Sequence, residues 1–350
     1  KTKIQVANAA NELPDIFFSW GGGRALPFVK NNRILALDDL LKDGTKSRIV
    51  AGTTDNFVFS GKTYGLPLYI STAQLYVNKE LFAKAGAKIP TTWAELTAAV
   101  KALNAKGITP IALGAKDRWP AMFWNAILGI RMAGVKDVNA ALAKTGPFNT
   151  PEMLAAAKKY KELIDLKAFG TSMMGTSYDD ATNMFFSGKA GMIFMGAWIN
   201  SQIEDSSSLV KGGKVEVIKF PTIAGGKGNA DEWFGGCGET FFINAKVQNK
   251  AVVWEVYKYF VENMGREAFL AGSGSWAWKG NAGSTTDMNP LAVQIGDLSA
   301  SATGFNYWWD QIMTSNDTET YFGSLMMFLL GQSKPEDFTK NLQAKITNAK

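Results

Sequence analysis

Residues 185–198 read FFSGKAGMIFMGAW and show the pattern that recurs along the chain. The apolar run at 192–195 predicts a buried strand, and Trp198 follows shortly after its end. Further strands are predicted at 16–18, 63–67 leading into 69–78, 108–113, 216–221 and 241–243. The first of these is bounded by Pro14 and three glycines and has the composition of a fully buried, parallel-type strand.

Amphipathic helices alternate with these strands. Thr92 and Glu95 fit a capping box, and Trp93, Leu96 and Val100 recur at helical spacing, so Trp93 is expected in the core. Other helices are predicted at 2–10, 151–166, 250–264 and over most of 290–350 with a break at 331–335, whereas 117–120 is expected to be a loop. The alternation of strands and helices predicts a layered α/β fold.

Length and charge exclude some classes of protein. The chain has 350 residues, of which 46% are hydrophobic, and this length suits about two domains of roughly 150 residues each. The strongest apolar run, 325–330, is far shorter than the roughly 18 residues that a membrane helix needs. Lysine and arginine number 37 against 31 aspartates and glutamates, giving a formal net charge of +6 without a long block of one sign. We therefore expect neither a membrane span nor a nucleic-acid partner.

The chain contains no histidine, which removes Ser-His-Asp and Cys-His catalysis and histidine-ligated metal sites. The single Cys237 cannot form an intrachain disulfide and is expected to be a small buried thiol. The segment 61–63 resembles the end of a phosphate-binding loop, but Asn56 stands where that loop needs glycine. Glycines 236 and 238 lack the rest of a dinucleotide fingerprint, so no cofactor or metal is predicted.

Tryptophan is the most informative residue type. Several of the 11 tryptophans follow apolar strands or lie in loops: Trp20, Trp119, Trp198, Trp276, Trp278, Trp308 and Trp309. A tryptophan face can stack on a pyranose ring while neighbouring carboxylates and amides bind its hydroxyl groups. Each of these tryptophans, taken alone, fits core packing equally well. Carboxylate pairs such as Asp179 with Asp180, or Asp117 with Glu239, leave a glycosidase open as an alternative.

Several segments of the chain resemble one family, in that family's order along the sequence. They are LPDIFF at 13–18 followed by Trp20, GKTYGLP at 61–67, LYVNKELF at 75–82, PTTW at 90–93, GITP at 107–110, the stretch 185–198, and a late tryptophan-rich helix start at Trp308. Together they resemble the extracellular solute-binding proteins of family 1, the maltose-binding-protein-like, carbohydrate-binding components of ABC importers.

The resemblance implies an α/β, periplasmic-binding-protein-like fold of type II, with two α/β lobes joined by a multi-segment hinge. Residues 1–69 with 241–275 would form the N-terminal lobe, and 70–240 with 276–350 the C-terminal lobe. The hinge crossings would fall near 67–71, 239–242 and 272–279. Family members begin with a strand, a helix and a second strand before the segment that matches Lys1, so we expect the N-terminal lobe to be incomplete.

The resemblance also implies a function. An oligosaccharide of two to four sugars would bind between the lobes for delivery to the membrane permease of an ABC importer. The expected ligand-binding residues are Trp20, Ser71, Thr72, Gln74, Asp117, Trp119, Trp198, Glu239, Trp276, Trp308, Trp309 and Asp310, with no catalytic or metal-binding residues. We expect an extracytoplasmic monomer, held at the cell surface as a lipoprotein or located in the periplasm, and not an enzyme. A glycoside-active enzyme with paired carboxylates and a carrier of a non-sugar solute such as a polyamine stay open as alternatives.

Overall fold

The structure, a computed structural model, describes residues 2–280 and 288–347. Its strands are β1 Ile16–Trp20, β2 Val58–Phe59, β3 Lys62–Thr63, β4 Tyr69–Asn78, β5 Thr109–Ala112, β6 Ala190–Gly196, β7 Val215–Ile218, β8 Glu232–Gly236, β9 Glu239–Ile243, β10 Ser275–Trp276 and β11 Gly304–Asn306. Its helices are α1 Thr2–Ala10, α2 Leu26–Lys30, α3 Lys79–Ala85, α4 Trp93–Ala105, α5 Trp119–Ala133, α6 Val135–Leu142, α7 Pro151–Asp165, α8 Tyr178–Phe186, α9 Asn200–Ile203, α10 Lys250–Leu270, α11 Pro290–Ser299, α12 Trp309–Ile312, α13 Ser315–Leu329 and α14 Pro335–Leu342.

A mixed sheet forms the centre of the larger part of the molecule. Its strands run in the order β11-β8-β4-β6-β5, and β7 and β10 also pair with β4. Every residue of β6 is buried, as its continuous apolar sequence predicts. Because β6 lies between β4 and β5, it has no strand edge toward solvent along its paired residues.

A second, smaller sheet corrects one prediction. Strand β1 pairs antiparallel with β9, and its residues alternate between buried and half-buried. The prediction of a fully buried, parallel-type strand is therefore wrong. The sequence does not show this alternation, because both faces of the strand carry apolar residues. On the half-buried face, Phe18 and Trp20 form an edge-on aromatic contact with ring centroids 5.2 Å apart.

Two further predictions differ from the structure. Only the first residue of the predicted strand 63–67 lies in a strand; Gly65 makes an isolated bridge to Phe242, and Pro67 has no N–H to donate. Residues 119 and 120, expected in a loop, instead begin α5, with proline near the helix start where its missing N–H is not needed. The predicted helices at 2–10, 151–166 and 250–264 are confirmed to within one residue at their starts.

Buried apolar side chains form one large core and two adjoining smaller ones. The large core surrounds β4, β5 and β6, and the smaller cores pack on the two faces of the β1–β9 pair. Among the described residues, the change between the large core and a smaller one occurs at three places: between Leu68 and Ala73, between Phe234 and Cys237, and between Trp278 and Leu291. Ala277 and Trp278, expected in the C-terminal lobe, pack in a smaller core instead.

Arg131 ties two elements of the large core together. Its guanidinium is buried and donates to the carbonyl oxygens of Phe220 (3.1 and 3.2 Å) and Glu232 (2.9 Å). Burial lowers the pKa of Arg131 to about 10, so the group still carries its charge at neutral pH. The bond to Glu232 attaches α5 to the start of β8, and the two bonds to Phe220 attach it to the segment that follows β7. In the part of the chain that the structure describes, no helix is long and apolar enough to cross a bilayer.

The capping box at the start of α4 is present, which gives a prediction for stability. The Thr92 hydroxyl accepts from the Glu95 amide at 3.3 Å, and the Glu95 carboxylate accepts from the Thr92 amide at 3.2 Å. We expect Thr92→Ala to lower the free energy of unfolding by about 1 kcal/mol, because the first turn loses a capping acceptor. Urea unfolding followed by circular dichroism measures this loss. Thr171→Ala, at an exposed threonine outside a helix end, is the control; equal losses in both variants would contradict the prediction.

Candidate functional site

A cavity of about 340 Å³ lies between the large core and the small sheet, and we call it the aromatic cavity. It is lined by Trp20, Trp119, Phe123, Tyr178, Trp198, Glu239, Trp308, Asp310 and Gln311. The fold thus brings together the predicted residues Trp20, Trp119, Trp198, Glu239, Trp308 and Asp310 from five separate stretches of chain.

A larger depression of about 700 Å³ lies on the surface beside α8 and α9. Its lining is mostly serine, asparagine, glutamine and aspartate, with Phe186 and the exposed Leu209 as its apolar members. Ligand sites are usually lined by apolar and aromatic side chains with a few placed polar groups. The aromatic cavity meets this description and the surface depression does not.

Two strands of the small sheet provide one wall of the aromatic cavity. Trp20 ends β1 and Glu239 begins β9, and the antiparallel register places them opposite each other. The Tyr69 hydroxyl, at the start of β4, donates a hydrogen bond to the Glu239 carboxylate. Burial, together with the negative charge of Glu239, raises the pKa of Tyr69, so this hydroxyl keeps its proton at neutral pH. This hydrogen bond from Tyr69 restricts the orientation of the Glu239 carboxylate.

Aromatic rings from the large core form the opposite wall. Trp119 begins α5 and lies 4.9 Å from the ring of Tyr178, which begins α8. Trp198, in the turn after β6, donates from its ring nitrogen to the Tyr178 hydroxyl at 3.1 Å. Phe123 stacks on Trp308 with centroids 4.8 Å apart and planes 14° apart. Because the rings contact one another, their orientations are fixed before a ligand arrives.

The polar rim of the aromatic cavity joins the two walls. Arg24 donates from Nε to the backbone oxygen of Asp310 at 2.8 Å and places a second nitrogen 3.9 Å from its carboxylate. Beside it, a side chain at Gly23 would have a Cβ only 2.2 Å from the backbone oxygen of Met313, so only glycine fits. Gln311 is 7% exposed, and its Oε1 accepts no hydrogen bond within the described part of the chain.

Three predicted residues on β4 do not line the aromatic cavity. Ser71, Thr72 and Gln74 are all buried within the sheet. Gln74 donates to the Thr72 hydroxyl, whereas Ser71 Oγ has no hydrogen-bond partner among the described residues. Their polar side chains are buried on the faces of the large sheet, in which β4 pairs with β8 and β6.

Three other predicted residues also lie outside the lining. Asp117 accepts a hydrogen bond from the backbone N–H of Tyr178 at 2.6 Å, so its carboxylate supports the start of α8. Trp276 is half-buried against a smaller core. Trp309 is fully buried, and its ring nitrogen donates to Asn306 at 2.6 Å, which marks it as a core residue.

Comparison with known proteins identifies the family. The sequence pattern described as bacterial extracellular solute-binding protein matches residues 1–267. The chain belongs to this family. A putative binding protein of Brucella abortus is 28% identical to this solute-binding protein over 250 residues, which is 71% of this chain and 59% of the relative. The match thus spans about three fifths of the length of such curated relatives. A probable sugar-binding periplasmic protein of Rhizobium meliloti is 27% identical over 64% of this chain and 53% of its own.

Solved structures match over nearly the whole of this solute-binding protein. A chain from a study of xylan utilization by Caldanaerobius polysaccharolyticus is 38% identical, with a TM-score of 0.94 over 99% of this chain and 88% of that one. A chitin oligosaccharide binding protein is 30% identical, with a TM-score of 0.89 over 99% and 86%. The fold is therefore that of the type II periplasmic solute-binding proteins, with two α/β lobes and a multi-segment hinge.

Sequence reasoning missed three residues that line the cavity of this solute-binding protein: Phe123, Tyr178 and Gln311. Phe123 follows Trp119 by four residues, so recognising α5 as a helix would have placed both on one face. Tyr178 directly follows Ser177, whose hydroxyl caps α8, so recognising this capping box would have placed the ring at a helix start. Gln311 adjoins the predicted Asp310, but the burial of its side chain has no signature in the sequence.

The buried thiol of Cys237, at the second passage between the cores, gives a prediction about reactivity. It is 2% exposed, and burial raises the pKa of the thiol well above its ordinary range. Since the thiolate is the reactive form, we expect dithionitrobenzoate at about pH 8 to modify the native protein far more slowly than the guanidinium-unfolded protein. Absorbance of the released thionitrobenzoate follows both reactions. Equal rates for the native and unfolded chains would contradict this assignment.

Proposed function

We propose that the protein binds an oligosaccharide of two to four sugars in the aromatic cavity and delivers it to the membrane permease of an ABC importer. The observation that carries the proposal is the set of tryptophan and tyrosine rings from separate elements that face one cavity together with two carboxylates and an amide. The names of the similar structures, which concern xylan utilization and chitin oligosaccharides, support the same ligand class.

The chemistry of the lining suits a sugar. A pyranose ring has apolar C–H faces that stack on aromatic rings, and its hydroxyl groups donate to carboxylate and amide oxygens. Glu239, Asp310 and Gln311 provide such acceptors. The volume of about 340 Å³ lies at the lower end of the ~300–1,000 Å³ typical of small-molecule sites. We infer that the cavity encloses the first one or two rings and that further rings extend outside it.

Closure of the two lobes would complete the site. Trp20 and Glu239 belong to the small sheet, whereas Trp119, Trp198 and Trp308 pack on the large core. A ligand between them contacts both lobes, so binding favours the arrangement in which the lobes are close. The lobe division into 1–69 with 241–275 and 70–240 with 276–350 stays a prediction. The packing of Trp278 in a smaller core favours placing the third crossing after that residue.

The remaining parts of the proposal concern the setting. A family of extracellular binding proteins supports an extracytoplasmic location, as a cell-surface lipoprotein or in the periplasm. It also supports a carrier and not an enzyme. We propose that the protein works as a monomer without metal or cofactor and without a nucleic-acid partner; the modest net charge of +6 agrees with the last point.

The two carboxylates of the aromatic cavity leave two alternative functions to be tested, a glycoside-active enzyme and a polyamine carrier. Glu239 and Asp310 are the groups that a glycoside-active enzyme would use as acid and base. Carboxylates among aromatic rings also attract ammonium groups, so a polyamine is a second candidate ligand. The ion pair between Arg24 and Asp310 weakens both alternatives, because the guanidinium partly offsets the negative charge of one carboxylate.

A titration panel tests the proposal through the tryptophan fluorescence of the protein. The probes are xylotriose, N,N′-diacetylchitobiose, maltotriose, a glucuronic-acid-substituted xylo-oligosaccharide and spermidine. We expect a saturable change with at least one neutral oligosaccharide, a weaker response to its acidic counterpart because of the cavity carboxylates, and none with spermidine. Reducing ends are measured in the same mixtures. A response to spermidine alone would favour the polyamine carrier, and sustained release of reducing ends would favour the enzyme.

Substitutions in the aromatic wall test the site itself. We expect Trp119→Ala and Trp198→Ala each to weaken binding of the responding oligosaccharide by at least about tenfold, or about 1.4 kcal/mol, because a stacking surface is lost. Isothermal titration calorimetry measures the change. Trp93→Phe, at a core tryptophan of α4, is the control and should bind as tightly as the unaltered protein. Unchanged affinity in both alanine variants would show that the ligand binds elsewhere.

A further inference from the structure

The backbone directly before the aromatic wall is strained at one residue. Arg118 has φ of 66° and ψ of −47°, a conformation that residues with a side chain rarely adopt. It lies between the short turn Ala115–Asp117 and Trp119, the first residue of α5. Strain of this kind persists only when surrounding contacts impose it, and it concentrates at functional sites.

The side chain of Arg118 is held by two residues of α13. The Arg118 guanidinium donates to both carboxylate oxygens of Glu319, at 2.7 and 3.2 Å. It also lies over the ring of Phe322, 4.8 Å from the centroid. A planar guanidinium that makes a bidentate hydrogen bond and stacks on an aromatic ring has little freedom to rotate. Arg118 in turn lowers the pKa of the Glu319 carboxyl, which keeps this partner ionised.

The neighbouring Asp117 holds a second part of the wall. Its carboxylate accepts the backbone N–H of Tyr178 at 2.6 Å, and the hydroxyl of Tyr178 accepts the ring N–H of Trp198 at 3.1 Å. Trp119 follows Arg118 directly and lies 4.9 Å from Tyr178 and 6.2 Å from Trp198. Two successive charged residues therefore connect to three rings from three different elements.

We infer that the Asp117-Arg118 turn is a positioning device that sets the orientation of Trp119, Tyr178 and Trp198, and that Arg118 acts through its contacts with Glu319 and Phe322. This inference rests on the proposed function, since the rings matter as platforms for a sugar. It also changes the role of Asp117 from the predicted ligand-binding residue to a residue that holds the wall. Arg118 and Glu319 are positioning residues that do not line the aromatic cavity.

The exposure of the pair separates positioning from general stability. The side chains of Arg118 and Glu319 are 39% and 61% exposed, and exposed ion pairs contribute little to global stability. Removing the Glu319 charge should therefore loosen the wall without unfolding the protein. If the pair had only a general structural role, its removal would change neither the affinity for the sugar nor the environment of the rings.

The test uses four variants at the Arg118–Glu319 pair and one control variant. Glu319→Gln removes the charge of the partner. Arg118→Gly removes the side chain and accommodates the positive φ, Arg118→Ala removes the contacts with α13 but retains a Cβ that the positive φ disfavours, and Arg118→Lys keeps the charge without the bidentate hydrogen bond. Glu336→Gln breaks a similarly exposed ion pair with Lys158 and is the matched control.

Three measurements are made on each variant: affinity for xylotriose by fluorescence titration, near-ultraviolet circular dichroism of the ligand-free protein, and the urea midpoint. For Glu319→Gln and Arg118→Gly we expect affinity to fall three- to tenfold, an altered near-ultraviolet spectrum, and a nearly unchanged midpoint. Arg118→Lys should recover part of the affinity, Arg118→Ala should also lower the midpoint, and Glu336→Gln should match the unaltered protein.

Two results would overturn the inference. One is an unchanged near-ultraviolet spectrum in both Glu319→Gln and Arg118→Gly, which would show that the turn does not orient the rings. The other is a fall in affinity that merely follows the fall in the urea midpoint across all variants. If xylotriose does not bind the unaltered protein, the other oligosaccharides of the panel replace it. If none binds, the proposed function fails, and the ligand-free spectra alone decide the inference.

Discussion

Strand β4 is the element on which both parts of the molecule depend. Its first two residues pair with β10, the next two with β8, and 73–77 with β6, while β7 pairs along its far end. Buried backbone groups must be hydrogen-bonded, so pairing with β4 fixes the positions of β6, β7, β8 and β10. The close approach at β8 also requires Gly235, whose φ is 125° and whose Cβ would lie 2.3 Å from the Ser71 oxygen. The same strand supplies Tyr69, which orients Glu239.

Much of the fold follows from local sequence signals. The continuous apolar run of β6, the capping box of α4 and the segments that resemble solute-binding proteins led to the correct fold class. Pairing was harder to predict, because β1 and β9 are more than two hundred residues apart and their register is set by packing on two small cores. Periodicity reports which face of a strand is buried, and it carries no information about which distant strand lies beside it.

The candidate site was likewise predictable from the sequence only in part. Tryptophans that follow strands or begin helices line the aromatic cavity, whereas Trp309, adjacent to one of them, is a core residue with a hydrogen bond to Asn306. Trp308 directly precedes α12 and Trp309 is its first residue, so the two rings point in different directions, and the sequence does not say which one faces the cavity. The β4 residues Ser71, Thr72 and Gln74 illustrate a polar run that the sheet buries.

The approach of Gly23 to the backbone of Met313 has a consequence for how this protein can diversify. At that point the two sides of the cleft meet main chain against main chain, with no side chain between them. The spacing of the two backbones there leaves no room for a Cβ, so any side chain at Gly23 would force them apart. Substitutions that change ligand preference are therefore expected among the rings and acceptors of the aromatic cavity, whereas position 23 has little freedom to vary.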